Sequence, residues 1–363
     1  MKVTFPHAGQ AWVPLSTVFA KAGVECIVPP LTSKQTLSLG VKYSPEWVCL
    51  PFKLNLGNFI EGLEAGADTL LYVAGPGLCR LGYYAKVADQ ILRDAGYQFQ
   101  MLTFDWQEKQ IVALGEFLRQ VLPNRSWPQI AGDIKFGLSQ LKVMDELERM
   151  AHHLRPRVMK PAEVTRIWRT AGKRVAAAWT PADLKRVKAE IVAEYDALPR
   201  NPDADPLRVA LLGEFFMVIE PFVNHDVEDM LGKMGVEVVR HASFSDWAWT
   251  WLFLEALGLS HGRKVKKAAA PYLSRDVSGD AVQTLGETIL HQREGFDGVI
   301  HLLPFTCMPE IIAQSILPTV TKDHEIPVLS IVLDEQMGRA GFVTRIEAFV
   351  DLMRRRRAFK RAS

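Results

Sequence analysis

Cysteine is scarce in this chain: four occur in 363 residues, which argues against the disulfide framework of a small secreted domain. Long apolar runs are missing as well. No window approaches the roughly 18 uninterrupted apolar residues of a membrane-spanning helix, so no membrane association is expected. Nor is there an excess of one charge, since 43 basic side chains stand against 41 acidic ones for a formal net charge of +2. Nothing global steers the chain toward nucleic acid or an anionic membrane. The opening MKVTFPHAGQAWVPL reads as a strand and lacks the charged segment and apolar core of a secretory signal, so a cytoplasmic location is expected. A phosphate loop with G-K-S/T is absent. The glycines of GPGLCRLG (75–82) have the wrong spacing for a dinucleotide fingerprint, with proline in second place.

What is present is a globular composition, 48% apolar and 23% charged, sufficient for two domains and a well-buried core. The early runs KVTFPHAG, VECIVPP, EWVCLPF, TLLYVAGPG and QFQMLTF read as strands. AWVPLSTVFAKAG, LNLGNFIEGLEAGA and YYAKVADQILRDAG, each closed near glycine, read as helices between them. That alternation predicts a parallel sheet flanked by helices. From about 111 the strands vanish and apolar residues recur at three-to-four spacing. LPRNPDADPLR then marks a boundary, after which RVALLGEFF, VEVVRHAS, DGVIHLLPFTC and IPVLSIVLDE restore the strand-helix rhythm. The expected fold class is therefore α/β, with two Rossmann-like or flavodoxin-like parallel-sheet domains. Residues 1–110 carry Cys49 and Cys79, 111–205 form a helical bridging segment, and 206–363 carry Cys307. The similar pattern of the two α/β segments suggests an internal duplication. The final DLMRRRRAFKRAS could meet an acidic partner, or be a solvated helix end favoured by the helix dipole.

Ligands of open parallel sheets sit beyond the carboxyl ends of the strands, where helix N-termini converge. Cys49, Cys79 and Cys307 each occupy such a place, whereas Cys26 lies inside an apolar run and reads as a small buried hydrophobe. Thiolates gathered from separate loops suit zinc, copper(I) or an iron-sulfur cluster, and nearby helix N-termini would lower their pKa. The spacing does not resemble a zinc ribbon. Three cysteines suit a 4Fe-4S cluster with one iron left for another ligand, and zinc or unrelated buried cysteines remain open alternatives.

The stretches CLPFKLNLGNFIEGLEAGAD, GPGLCRLGYY, LLGEFF, PFVNHDVEDMLGKMGVEV, PFTCMPE and PVLSIVLDEQMGRAGFVTRIEAFVDLM resemble the 2-hydroxyacyl-CoA dehydratase and benzoyl-CoA reductase superfamily, especially its CoA-protein activase or double-cubane-cluster branch. The likeness spans nearly the whole chain, with Leu50 between Cys49 and the proline as one departure. The resemblance implies a 4Fe-4S cluster, alone or within an 8Fe double cubane, held between the α/β domains by Cys49, Cys79 and Cys307. It implies low-potential electron transfer driven by a separate ATP-dependent activator protein, and a homo- or heterodimer with a related cluster subunit. An acyl-CoA substrate is the corresponding expectation. A non-catalytic cluster carrier or assembly subunit is the alternative.

Arg80 could offset cluster charge or donate to a sulfide, and Lys53 and Asn55, just after Cys49, could do the same; helix capping or a surface role is the rival for each. His7 and Glu214 end strands and could face the crevice. Asp334 and Glu335 could line it or bind a helix N-terminus. The aromatic FSDWAWTWLFLEAL reads as core or a partner interface. His152 and His153 lie on a helix among basic neighbours and are assigned no metal.

Overall fold

The computed structural model describes residues 1–74, 79–105, 110–240, 243–249 and 262–362. Two wholly parallel four-stranded sheets organise them. The first holds β1 (Lys2–Thr4), β2 (Glu25–Cys26), β3 (Thr69–Ala74) and β4 (Gln100–Asp105) in the order β2-β1-β3-β4. The second holds β5 (Leu207–Gly213), β6 (Val236–Arg240), β7 (Gly298–Pro304) and β8 (Val328–Leu333) in the order β6-β5-β7-β8. The two orders are the same. Strands covered on both faces read as continuous aliphatic runs, and β7, GVIHLLP, is buried along its whole length.

Parallel neighbours need crossover connections. The first sheet uses α1 (Trp12–Lys21), α2 (Lys34–Tyr43), α3 (Leu50–Glu64) and α4 (Leu81–Asp94). Next come α5 (Gln110–Val121), α6 (Trp127–Leu154), α7 (Pro161–Ala176) and α8 (Pro181–Asp196). Ser126 with Gln129, and Thr180 with Asp183, form reciprocal capping boxes at the starts of α6 and α8, each followed by a proline whose fixed φ suits the first turn. Leu147, Ile167 and Ile191 from these helices share one core with Val13 of α1. The second sheet is served by α9 (Phe215–Ile219), α10 (Val227–Lys233), α11 (Phe244–Trp249), α12 (Arg263–Ala269), α13 (Ala281–Arg293), α14 (Met308–His324) and α15 (Arg339–Ala362).

One sequence expectation is corrected. EWVCLPF is not a strand: Cys49 is extended (φ −75°, ψ 159°) as the N-cap of α3, and Pro51 sits in its first turn. The misreading has a physical cause, because Leu50 through Leu63 are all buried and a helix enclosed on every side loses its polar stripe. Its apolar residues divide between two cores. Leu50 and Leu54 pack with Val209, Leu302 and Ile331 of the second sheet, while Phe52, Leu56 and Phe59 pack with Leu70 and Tyr72 of the first. Helix α3 is thus the wedge between the sheets. Helix α2, unanticipated from sequence, packs on it through backbone: a Cβ at Gly40 would lie 1.7 Å from the Lys53 carbonyl oxygen, and one at Gly57 2.0 Å from that of Thr36. Contact of this kind needs no apolar stripe.

The basic tail folds back on its own chain. Arg354 donates to the Met234 carbonyl (2.6 Å), Arg356 to that of Glu325 (3.0 Å), and Arg361 pairs with Asp205 (2.7 Å). Of the aromatic stretch, 244–249 form α11, with Phe244 5.6 Å from the Phe215 ring; 250–257 lie outside the described residues. Among the described residues no helix is long and apolar enough to cross a membrane.

Candidate metal centre

Three helices begin beside a cysteine. Cys49 is the N-cap of α3 and Cys307 that of α14. Cys79 directly precedes Arg80, the N-cap of α4; the glycine loop before it, 75–78, lies outside the described residues. Cys49 and Cys307 are each followed two residues later by proline, and neither side chain makes a full capping hydrogen bond. The N–H groups of Phe52, Leu81 and Glu310 nonetheless each favour the charged form of Cys49, Cys79 and Cys307 respectively, as expected at the positive end of a helix.

Arg80 ties the three loops together. One guanidinium nitrogen donates to the Trp47 carbonyl at 2.6 Å, and the other to the Thr306 carbonyl at 2.7 Å. The residue beside Cys79 therefore holds the backbone just ahead of Cys49 and just ahead of Cys307. Thr306 has a positive φ of 67°, a strained conformation for a β-branched residue. The planar fork that reaches two acceptors at once is specific to arginine.

Burial dominates the thiol electrostatics. It pushes Cys49 up to about 11 and raises Cys79 and Cys307 as well. Cys49 and Cys79 repel each other as anions, and Cys49 does the same to Cys307. Glu214 acts on all three, so one carboxyl lies within electrostatic reach of every thiol. It caps α9 by accepting from Met217 N at 3.0 Å. Burial first, then the charge of Asp280, pushes its carboxyl up to about 8, against the helix N–H groups of Met217 and Phe216. Asp280, the N-cap of α13, accepts from Phe215 N at 3.0 Å. Tyr84 Oη accepts from Cys49 N (3.3 Å) and lies 3.2 Å from its Sγ.

The remaining candidates separate. Lys53, itself buried, pairs with Glu335 at 2.6 Å and so joins α3 to the end of β8. Burial works to raise the Glu335 carboxyl, but Lys53 overcomes it and leaves it lowered. Asp334 accepts from Gln336 N in a local turn (2.9 Å). His7 is buried with its Nε2 2.7 Å from the Pro29 carbonyl oxygen, a contact that binds β1 to the loop after β2 rather than to the cysteines. Asn55 and Tyr72 are buried and their side chains interact with each other, and Tyr72 feels the charges of Cys49, Cys79 and Glu214. Cys26 ends β2 and packs with the first sheet's core.

Sequence reasoning missed Glu310 and His301. Both are fully enclosed; Glu310 Oε2 accepts from Thr284 Oγ1 (3.0 Å) and lies 2.7 Å from His301 Nε2, while its Oε1 has no partner. The signals were a histidine inside the apolar run GVIHLLP and an acid one turn into the helix after Cys307.

A single ion fits this donor set poorly. Thiolates at ~2.3 Å from one tetrahedral zinc stand roughly 4 Å apart, and among the described residues the three sulfurs do not all come within 4.8 Å of one another. A cluster in which each thiolate takes a different iron spaces them more widely. Three separate helix N-termini and an arginine fork are compatible with such a polynuclear group. No known protein family and no curated protein matches this sequence.

Proposed function

We propose that the chain is an iron-sulfur redox protein of the 2-hydroxyacyl-CoA dehydratase type. In this reading its two sheets are the cores of Rossmann-like or flavodoxin-like domains, and Cys49, Cys79 and Cys307 hold a 4Fe-4S or double-cubane cluster between them. The cluster, when bound, would supply low-potential electrons received from an ATP-dependent activator, and the substrate class would be an acyl-CoA. Arg80 fixes the three thiol loops relative to one another, and its positive charge sits where an anionic cluster would need it. Tyr84 and the helix N–H groups orient and ease the thiolates. Glu214, raised by burial, holds a proton near neutral pH at the edge of the thiol group. The expected setting is cytoplasmic, with a related cluster subunit as partner.

The observation that carries the reading is the Arg80 fork joining the three cysteine loops. Anaerobic purification with iron, sulfide and zinc analysis, coupled to Mössbauer spectroscopy, tests it. About four irons and four sulfides per cubane are expected, with one site of distinct isomer shift. Cys79→Ser should deplete the iron while Cys26→Ser retains it. Stoichiometric zinc without sulfide, or equal iron in the two variants, overturns the assignment. A cluster whose EPR signal ignores every acyl-CoA would assign the chain to the carrier role.

A further inference from the structure

A second group of donors lies at the junction of the helical segment and the second sheet, apart from the cysteines. Glu148 and His152 stand one turn apart on α6, and Glu228 projects from α10. One ligand atom from each lies within 4.8 Å of the other two. His152 Nε2 is 3.3 Å from Glu228 Oε2, with the histidine 5% exposed and the glutamate 14%. One atom here is left over: His152 Nε2 is buried and makes no full hydrogen bond to a described residue. Buried polar atoms are almost always satisfied, so an imidazole nitrogen whose contact with Glu228 falls short of a full hydrogen bond is open to a shared partner.

Arg240 does not supply it. The guanidinium pairs with Glu148 and lies 3.2 Å from Glu228 Oε1, whereas His152 faces the other oxygen, Oε2. Arg240 thus bridges the two carboxylates through a Glu228 oxygen that His152 does not face, as a residue supporting metal ligands can. The surrounding charge also leaves room for a cation. Asp145, Glu148, Asp226, Glu228 and Asp229 face Arg155, Lys233 and Arg240, two more acids than bases.

The geometry points to a divalent first-row cation bound by Glu148, His152 and Glu228, pinning α6 to α10. One imidazole with two carboxylates suits zinc, cobalt or manganese better than calcium or copper(I), and the enclosed ligands suit a structural role. The probe is Co2+, titrated into the Cys49→Ser protein so that the thiol centre is broken. One saturable equivalent is expected, with d–d absorption and no thiolate charge-transfer band, and with release of bound metal by chelator lowering the melting temperature. His152→Ala and Glu148→Gln should each weaken binding at least tenfold. The glutamine variant preserves shape and guards against misfolding of the first. Absence of saturable binding, a thiolate charge-transfer band accounting for all bound cobalt, or undiminished affinity in both variants overturns the site. None of these outcomes bears on the iron centre, which shares no residue with it.

Discussion

Replacing Arg80 by methionine keeps the length of the side chain and removes the fork. Hydrogen bonds to a charged donor are worth about 1.5–3 kcal/mol each. The Trp47 bond lies at an exposed edge where water replaces it, and the Thr306 bond is half-buried. About 2–3 kcal/mol is therefore a reasonable total for the clamp, discounted from the sum of two such bonds. Its loss falls on local opening of the loops rather than on the two sheets, whose cores Arg80 does not enter. At ~1.4 kcal/mol per decade, loop opening becomes roughly 30- to 140-fold more frequent. Pulsed alkylation with peptide mass spectrometry reads this site by site in the metal-free protein. Cys49 and Cys307 should react roughly 30- to 140-fold faster in Arg80→Met when opening limits access, with Cys26 unchanged as an internal control. Arg80→Lys should fall between, since a point charge cannot reach both carbonyls. Equal rates at Cys49 and Cys307 in wild type and variant would refute the clamp; acceleration of Cys26 by the same factor would show global destabilisation instead.

Other expectations follow from the same geometry. Lys53→Met strands Glu335 in a site 20% exposed and should cost about 2–3 kcal/mol; a double-mutant cycle with Glu335→Gln, read by urea denaturation, should recover a coupling above ~1 kcal/mol. Gly40→Ala should destabilise by more than the ~1–3 kcal/mol of ordinary overpacking, because backbone rather than a movable side chain blocks the Cβ. Gly132→Ala, with nothing within 4 Å, should be neutral or stabilising in the same thermal melt. Glu220 accepts from Gly9 N at 3.1 Å, and burial pushes its carboxyl from 4.5 up to about 7. The native state then holds a proton that the unfolded chain has released. Its stabilising contribution is full below pH 4.5 and is lost as pH rises through about 7. Glu220→Gln should remove that slope, and an identical pH profile in the variant would contradict it.

Much of the fold was legible because its strands are aliphatic runs separated by amphipathic helices, and TLLYVA, RVALLG and VLSIVL could hardly be anything else. What failed did so where burial was complete. Helix α3 carries Asn58 and Glu61 inside, partnered by His7 N and Thr36 Oγ1, and no periodicity marks such a helix. Helix α2 is polar because glycine, not leucine, makes its contact. At the site, the cysteines were visible as residues past strands or ahead of helices, but the role of Arg80 was not, since its acceptors are backbone carbonyls far away in sequence. Its charge and its place just after Cys49 suggested Lys53 as a partner of the cysteine centre; only the fold shows that Glu335 claims it.

The matching strand orders make the two halves of the site comparable position by position. Cys79 follows β3 and Cys307 follows β7, the same place in each sheet. Cys49 caps α3, the helix leading into β3, and the residue capping the helix that leads into β7 is Asp280. The corresponding end of the first strand carries His7 in one half and Glu214 in the other. Topology therefore offers equivalent positions while the sequence fills them unequally, with two thiols from the first half and one thiol among acids from the second. This inequality accounts for the electrostatics. Asp280 and Glu310 both act on Glu214, and Glu214 and Glu310 both act on Cys307. Charge on the second half's thiol is thus opposed by carboxylates, whereas at Cys79 Glu214 and Asp280 oppose the charge and Arg80 partly offsets them. A metal bound at the proposed centre would need thiolates and release their protons, so Glu214→Gln, which removes a charge opposing Cys307, is expected to lower the pH at which iron is retained; an unchanged pH dependence of iron content would refute this.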